Sequence, residues 1–158
     1  MTAKYTVLGN TTLTTASSSV TFSSIPGGYK DLVLIIEVLA SGGDLNPLTR
    51  LNGDSGSNYS AVSMDGNGSV TGSYSYTDTN IAGVGATTTS RVLNTIDIMD
   101  YSATNKHKSV LLRSNRASAS AWASALRWAN TSAVTSVSVT ASANSFAAGS
   151  TFRLLGVN

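Results

Sequence analysis

The stretch from Phe22 to Ala40 constrains the fold more than any other part of the sequence. It joins a turn, Ile25–Gly28, to the longest apolar run in the chain, Leu32–Leu39, which only Glu37 interrupts. Proline presets the backbone for a turn and glycine permits positive φ, so the chain is expected to reverse there. A short run of leucine, valine and isoleucine between turn residues is typical of a strand buried on both faces. A helix is the alternative, but a glycine pair soon ends the run, and we predict a central strand.

Short clusters of alternating apolar and polar residues recur along the rest of the chain, as expected for half-buried strands. Residues 117–130 are ambiguous, because their apolar residues also fit one face of a helix, but the alternation of Trp122, Ser124, Leu126 and Trp128 favours a strand. The other expected strands are Tyr5–Leu8 (turned at Gly9-Asn10), Val20–Phe22, Tyr59–Met64, Arg91–Tyr101, Lys108–Arg113, Ala133–Thr140 and Thr151–Val157.

This spacing predicts an all-β protein, an antiparallel β-sandwich or jelly roll of about eight to ten strands in one domain, residues 1–158. Two segments are expected to lie outside its centre. Pro47 lacks an amide proton, so Leu45–Leu48 is not expected to form a central strand. Ser69–Thr89 consists mostly of serine, threonine, glycine and tyrosine, which predicts a long exposed excursion with a poorly defined strand pair.

Charge is scarce in this chain. Charged residues make up 11% and the net charge is +2, whereas serine, threonine and glycine fill more than a third of the sequence. Binding of nucleic acid needs a clustered basic patch, and we predict no nucleic-acid partner. The one local concentration is interpreted as a solvated strand edge or an interface; it comprises Lys106, His107, Lys108, Arg113 and Arg116.

Cysteine is absent, which excludes disulfides and thiol nucleophiles. The first residues lack the basic-then-apolar plan of a signal peptide, so no cleaved export signal is expected. No apolar run approaches the roughly 20 residues of a membrane span, and no membrane association is expected.

Catalytic and metal-binding candidates are few. The single histidine, His107, lies between two lysines without a nucleophile-elbow motif, so a Ser-His-Asp triad is not expected. Glu37 and Asp97 interrupt apolar strands and are the two acids that could work in a cleft, although solvent or a subunit interface is the preferred environment for both. Asn52–Gly56 and Asp65–Gly68 offer oxygen ligands for calcium, but such turns also form tight hairpins. We predict no enzyme activity, no cofactor and no metal.

Aromatic residues are the remaining candidates for a binding surface. Trp122 and Trp128 are expected in the core or an interface, where tryptophan is common. Tyr74 and Tyr76, within the polar segment, and Tyr59 are the predicted contact surface for a partner or a glycan.

Three stretches together resemble a large group of small virion proteins of tailed bacteriophages. Residues 19–34 are similar to the opening SVTFSSIP-x-x-Y-x-DLVL of that group, and residues 50–60, RLNGDSGSNYS, are similar to its RFNGDSGSNYS segment. Residues 128–137, followed by Phe146, Gly149–Phe152 and Leu155–Val157, match its closing pattern, NTAAITSI…F..GSTF.LYGI. The chain departs from the group between Ser69 and Thr89, and the group brings no catalytic residues.

The resemblance implies a β-rich structural protein of the phage particle, assembled in the host cytoplasm and located at the virion surface. Two functions stay open. The first is a capsid decoration or cement protein, expected to be trimeric, that binds the major capsid protein; the start at Met1 and the lack of a tail-attachment coiled coil favour it. The second is a tail-fibre or receptor-binding protein that recognises host glycans through its tyrosine-bearing loops.

Overall fold

The structure is a computed structural model that describes residues 4–117 and 120–158. All the regular secondary structure assigned in these ranges is β-strand, and every strand pair is antiparallel. The strands are β1 (Tyr5–Thr12), β2 (Ser19–Phe22), β3 (Asp31–Val38), β4 (Ala40–Ser41), β5 (Pro47–Leu51), β6 (Tyr59–Gly66), β7 (Thr71–Asp78), β8 (Ile81–Ala82), β9 (Val92–Met99), β10 (Lys108–Arg116), β11 (Ser120–Trp128), β12 (Val137–Ala141), β13 (Ser145–Phe146) and β14 (Thr151–Val157).

These strands form three sheets, and the all-β prediction is confirmed. The large sheet has eight strands in the order β1-β14-β3-β9-β10-β11-β6-β7. A four-stranded sheet, β2-β12-β5-β8, and a two-stranded sheet, β13-β4, complete the described fold. The described residues form fourteen strands, more than the expected eight to ten; three of the fourteen, β4, β8 and β13, have only two residues each. None of the described elements is a helix able to span a membrane.

Strand β3 is an interior strand of the large sheet, between β14 and β9. Leu32, Leu34, Ile36 and Val38 are fully buried on one face, which carries the core. The other face of β3 is only partly covered, and Glu37 on it is exposed. The Ile25–Gly28 turn before β3 is held by Tyr101, whose hydroxyl donates a hydrogen bond to the Pro26 carbonyl.

Alternation of burial divides the large sheet into two faces. The inner face packs into one apolar cluster with residues of the four-stranded sheet, among them Leu51, Val137 and Val139. The outer face is defined by its central row, in which each residue is paired with the next across all eight strands. In strand order this row reads Val7, Leu155, Val33, Asp97, Leu111, Ala125, Val62 and Ser75.

Several local predictions need correction. The chain does not turn at Gly9-Asn10, because a bulge between Val7 and Gly9 lets β1 continue to Thr12 along β14. Strand β5 begins at Pro47 and lies between β12 and β8, inside its sheet. Proline is tolerated there because it is the first residue of the strand, beyond the two residues that pair with β8.

The polar segment from Ser69 to Thr89 is largely exposed in its first half, as predicted, but it belongs to the sheets and is not an excursion outside them. Its first half forms β7, which pairs with β6 over eight residues. Its second half forms β8 and buries Ile81 and Val84 in the core. The helix alternative for residues 117–130 is wrong as well, since β11 pairs with β10 and β6 along its whole length; residues 118 and 119 lie outside the described residues.

Candidate functional site

An aromatic pair marks one end of the inner face, beside the edge strand β7. Tyr74 on β7 and Trp122 on β11 stack across β6, with ring centroids 5.8 Å apart and planes inclined by 8°. The register explains this contact, because Trp122 pairs with Asp65 and Tyr74 pairs with Ser63, two residues earlier on the same face of β6. Tyr74 remains 49% exposed, so an aromatic surface is open to solvent here.

Gly72 and Asp65 fix the position of the Tyr74 ring. A side chain at Gly72 would collide with the Tyr74 hydroxyl and with the Asp65 carboxylate, so the glycine leaves room for the ring to lie along the strand. The negative charge of Asp65 raises the pKa of Tyr74. One carboxylate oxygen of Asp65 is buried and has no hydrogen-bond partner among the described residues. The site therefore presents a flat aromatic surface with an acid beside it.

Hydroxyl groups beneath the pair connect it to the core. Ser63 and Ser124 are buried, and their oxygens lie 2.6 Å apart. The Ser63 hydroxyl also bonds to the Tyr76 hydroxyl at 3.2 Å, and the Trp122 indole donates to Ser124. Tyr76 is thus partly buried and serves mainly to anchor this network. Of the predicted contact residues, Tyr74 is the exposed one, and Trp122 joins it at the surface.

Tyr59 is wrongly predicted as a surface residue, because it is 1% exposed. Its ring stacks on Trp128 with centroids 6.5 Å apart, and its hydroxyl accepts a hydrogen bond from the Leu51 amide and donates to the Asp54 carbonyl. Burial raises the pKa of Tyr59 to about 12. Trp128 is equally buried, as expected for a core tryptophan.

The loop at residues 52–58 uses its oxygen atoms to hold the fold. The Asp54 carboxylate accepts hydrogen bonds from the Trp128 indole at 2.7 Å, the Gly56 amide and the Asn58 side chain. The Asn52 side chain accepts hydrogen bonds from the amides of Thr135 and Ser136 and donates one to the Ala133 carbonyl. Because these atoms already have protein partners, the loop is a structural clasp rather than an open calcium loop.

The second calcium candidate behaves similarly. In the Asp65–Gly68 turn, the Asn67 side-chain oxygen accepts hydrogen bonds from the amides of Ser69 and Val70. No group of three or more histidine, cysteine, aspartate or glutamate residues within 4–117 and 120–158 could hold a metal ion.

The two candidate acids are separated on the outer face. Glu37 lies 3.7 Å from Arg91, and Asp97 lies 3.0 Å from Arg113. Asp97 pairs with Val33, four residues from Glu37 along β3; at about 3.3 Å per residue, this places the two acids about 13 Å apart. The two carboxyl groups of a glycoside hydrolase lie at most about 9.5 Å apart, so this geometry does not favour a catalytic pair.

The predicted basic group is not one solvated edge. Lys108 is fully buried and its ammonium donates to the carbonyls of Ala103, Lys106 and Thr131. Burial lowers the pKa of Lys108, and the nearby charge of Lys106 lowers it further. Lys106 binds Asp100 at 2.6 Å, and Arg116 donates to the Gly85 carbonyl. His107 is exposed. These cations serve separate local contacts and do not form one binding patch.

The outer face of the large sheet is the second candidate surface, and sequence analysis missed it. Among residues 4–117 and 120–158, nine large hydrophobic residues are exposed, and seven of them lie on this face: Tyr5, Val7, Val62, Met64, Leu93, Met99 and Leu111. A set of exposed apolar side chains gathered on one sheet face is typical of a surface that contacts another molecule. The signal was present in the sequence as apolar residues at the polar positions of alternating strands, but only the register shows that they adjoin.

Comparison with known proteins adds no assignment to these surfaces: the chain matches no protein-family model and no curated protein.

Proposed function

We propose that this chain is a non-enzymatic structural protein of the bacteriophage virion, a decoration or cement protein that binds the major capsid protein shell and stabilises it. The proposal combines the resemblance of residues 19–34, 50–60 and 128–157 to small virion proteins with one structural observation, the apolar outer face. The chain would be assembled in the host cytoplasm and act at the particle surface. Nucleic acid, membranes and cofactors have no part in this role.

The outer face supports the proposal because seven large apolar side chains are exposed on it, which is typical of a surface that contacts another protein. With 11% charged residues, binding would depend on apolar burial rather than on ion pairs. The large sheet also ends in β7, an edge strand eight residues long. Such an edge can pair through its main chain with a strand of a neighbouring protein. A face and an edge together suit a protein that bridges shell subunits.

The location and copy number in intact particles test the proposal. Cryo-electron microscopy of the virion should show this fold on the head, in hundreds of copies. A few tens of copies confined to the tail would contradict a cement role. In a purified system, added protein should bind capsids that lack it and raise the temperature at which they open; unchanged capsids would also count against the role.

The non-enzymatic character is tested separately. The acids that an enzyme would need are Glu37 and Asp97. We expect no hydrolysis of host polysaccharide by the purified protein. Hydrolysis that is lost in Glu37→Gln or Asp97→Asn would overturn the proposal.

Recognition of host glycans is the alternative function, and the Tyr74–Trp122 pair favours it. Exposed aromatic rings stack on sugar rings, and the Asp65 carboxylate beside them could accept hydrogen bonds from sugar hydroxyls. Binding of host-surface glycans that is lost in Tyr74→Ala and Trp122→Ala would support this function. Tyr5→Ala is the matched control, because Tyr5 is 60% exposed but lies on the outer face. No binding by the unaltered protein would exclude it.

A further inference from the structure

We propose that two copies of this chain pair face to face through the outer face, about a twofold axis that runs parallel to the strands between β9 and β10. The proposal deepens the assembly role proposed above and rests on it: the outer face takes a second copy, and the β7 edge is left for the shell. Three independent features of that face support a second copy as the occupant: side-chain size, charge and area.

The strand order determines which elements meet. A twofold axis at the centre of the order β1-β14-β3-β9-β10-β11-β6-β7 places β9 on β10, β3 on β11, β14 on β6 and β1 on β7. Each row of paired residues then lies over itself in reverse. A twofold contact is self-complementary, so every feature on one half of the face must match the other half.

Side-chain size matches in this way along the central row. On one half, Ala125, Val62 and Ser75 border a shallow hollow of about 590 Å³ over β11, β6 and β7. The residues that the axis places opposite them are Val33, Leu155 and Val7, in that order. Each is as large as or larger than its counterpart. The half with larger side chains would therefore fill the hollow of the other copy, as close packing requires.

Charge matches as well. Asp31 on β3 and Arg127 on β11 lie in one row and at equal distances from the axis. Neither forms a salt bridge among the described residues, where the three ion pairs involve other side chains. The axis brings Asp31 of each copy opposite Arg127 of the other. A packing angle of about 30° between aligned sheets displaces these positions by about 5 Å, which the arginine side chain can span, and displaces the outermost strands, β1 and β7, by about 9 Å.

The other charges of the face avoid repulsion under the same operation. Each faces an uncharged residue of the second copy: Asp97 meets Leu111, Glu37 meets Ala121, Arg113 meets Thr95 and Arg153 meets Met64. The face carries nearly equal numbers of acidic and basic residues, with Asp31, Glu37 and Asp97 against Arg91, Arg113, Arg127 and Arg153. A second copy therefore brings only a small net charge against it.

The area suffices for a stable dimer. Eight strands at about 4.8 Å and about eight residues at about 3.3 Å give a face of about 1,000 Å² per copy. Standard protein interfaces bury about 800 Å² per partner. The contact closes on itself and predicts a dimer where the resemblance leads to the expectation of a trimer; the main-chain edge of β7 in each copy remains for the capsid shell.

Mass measurement by light scattering is the first test. The unaltered protein should have twice the mass of one chain. Leu111→Glu places a carboxylate near the axis in both copies and should weaken pairing by at least about 100-fold. Arg127→Glu places a negative charge opposite Asp31 of the other copy and should also yield single chains. The control is Val70→Glu, because Val70 is 66% exposed in the turn between β6 and β7; it should remain dimeric.

Cross-linking tests the position of the axis. The chain has no cysteine, so single cysteines can be introduced and joined by a short bismaleimide. Leu111→Cys should cross-link to its own copy. Val7→Cys should not, since its two copies would lie about 34 Å apart across seven strand spacings, but it should cross-link to Ser75→Cys in mixed samples. Single chains, trimers, or cross-linking of Val7→Cys to itself would overturn the pairing.

The capsid assay separates this inference from the proposed function. Single chains of the unaltered protein that nevertheless decorate capsids would refute the pairing and keep the function. A dimer that matches the cross-linking pattern but binds no capsid would support the pairing and refute the proposed function.

Discussion

Removal of the Asp54 carboxylate should destabilise the protein at neutral pH. This group joins the 52–58 loop to the core by accepting a hydrogen bond from the Trp128 indole at 2.7 Å, with further bonds from Gly56 and Asn58. Trp128 is 1% exposed, so Asp54→Ala leaves its N–H buried without this acceptor. An orphaned buried donor costs about 1–3 kcal/mol, and the loss of the loop bonds from Gly56 and Asn58 adds about 1 kcal/mol. We expect a total of about 2–4 kcal/mol.

The dependence on pH identifies the mechanism. Burial raises the pKa of Asp54, but the hydrogen bonds from Trp128, Gly56 and Asn58 outweigh it and bring the pKa below 3.8. A carboxyl group with a lowered folded-state pKa stabilises the fold above pH 3.8, and this stabilisation is lost as the pH falls through the folded-state pKa. The difference between the unaltered protein and Asp54→Asn should therefore shrink in acid.

Urea unfolding followed by tryptophan fluorescence, at pH 7 and at pH 3, measures both effects. Asp44→Asn is the matched control, because Asp44 is an exposed loop acid and its loss should change stability by less than about 0.5 kcal/mol. A double-mutant cycle with Trp128→Phe should give a coupling of about 1–3 kcal/mol. If Asp54→Ala unfolds like Asp44→Asn, or if the deficit of Asp54→Asn is the same at both pH values, the role assigned to this carboxylate is refuted.

Three other predictions concern buried contacts. Burial raises the pKa of Tyr59 to about 12. The stability that its protonated hydroxyl contributes is therefore complete below pH 10 and is lost between pH 10 and 12. In urea titrations, Tyr59→Phe should abolish about 2–3 kcal/mol of this alkaline loss, and an unchanged profile would contradict the prediction. Gly156→Ala should cost about 1–3 kcal/mol in thermal unfolding because its new methyl group meets the Tyr29 ring, whereas Gly28→Ala, with open space around it, should not. Lys108→Met should cost about 1–3 kcal/mol of stability, because it leaves three carbonyls without their donor. Its control, Lys106→Met, loses only an exposed ion pair and should cost less than about 1 kcal/mol. Equal costs of the two variants would contradict the structural role of Lys108.

Alternation and turn residues sufficed to predict the fold class, because they report local geometry. Strand β3, the tryptophan-bearing strand β11 and the closing strand β14 were all predicted on this basis. The segment from Ser69 to Thr89 was mispredicted because its strand β7 forms an edge, where serine and threonine pair through the main chain and contribute few apolar side chains. Composition alone does not distinguish such an edge from a loop.

Individual burial was harder to predict than the strands themselves. Tyr59 and Lys108 each have a polar group that suggests an exposed position. In the fold, both polar groups form hydrogen bonds with main-chain atoms, of Leu51 and Ala103 respectively. Those partners depend on loops that no periodicity describes. The Tyr74–Trp122 contact joins residues 48 positions apart, which follows from the pairing of β7 and β11 with β6. The register of these strands, which the sequence pattern leaves open, brings the two rings together.

The three stretches on which the proposed resemblance rests contact one another in the fold. Tyr29, from the first stretch, lies over Gly156 from the last, and Asp54, from the second, accepts the indole proton of Trp128 from the third.

These contacts stabilise the corners where the sheets join, so the shared residues would preserve a scaffold. Leu111, Val62, Tyr74 and Trp122 lie outside those stretches, on the two candidate binding surfaces. If proteins with this scaffold bind different partners, the substitutions that change the partner should fall on the outer face and around the aromatic pair. Exchange of Leu111 or Tyr74 should therefore alter binding while the stability of the fold stays within about 0.5 kcal/mol.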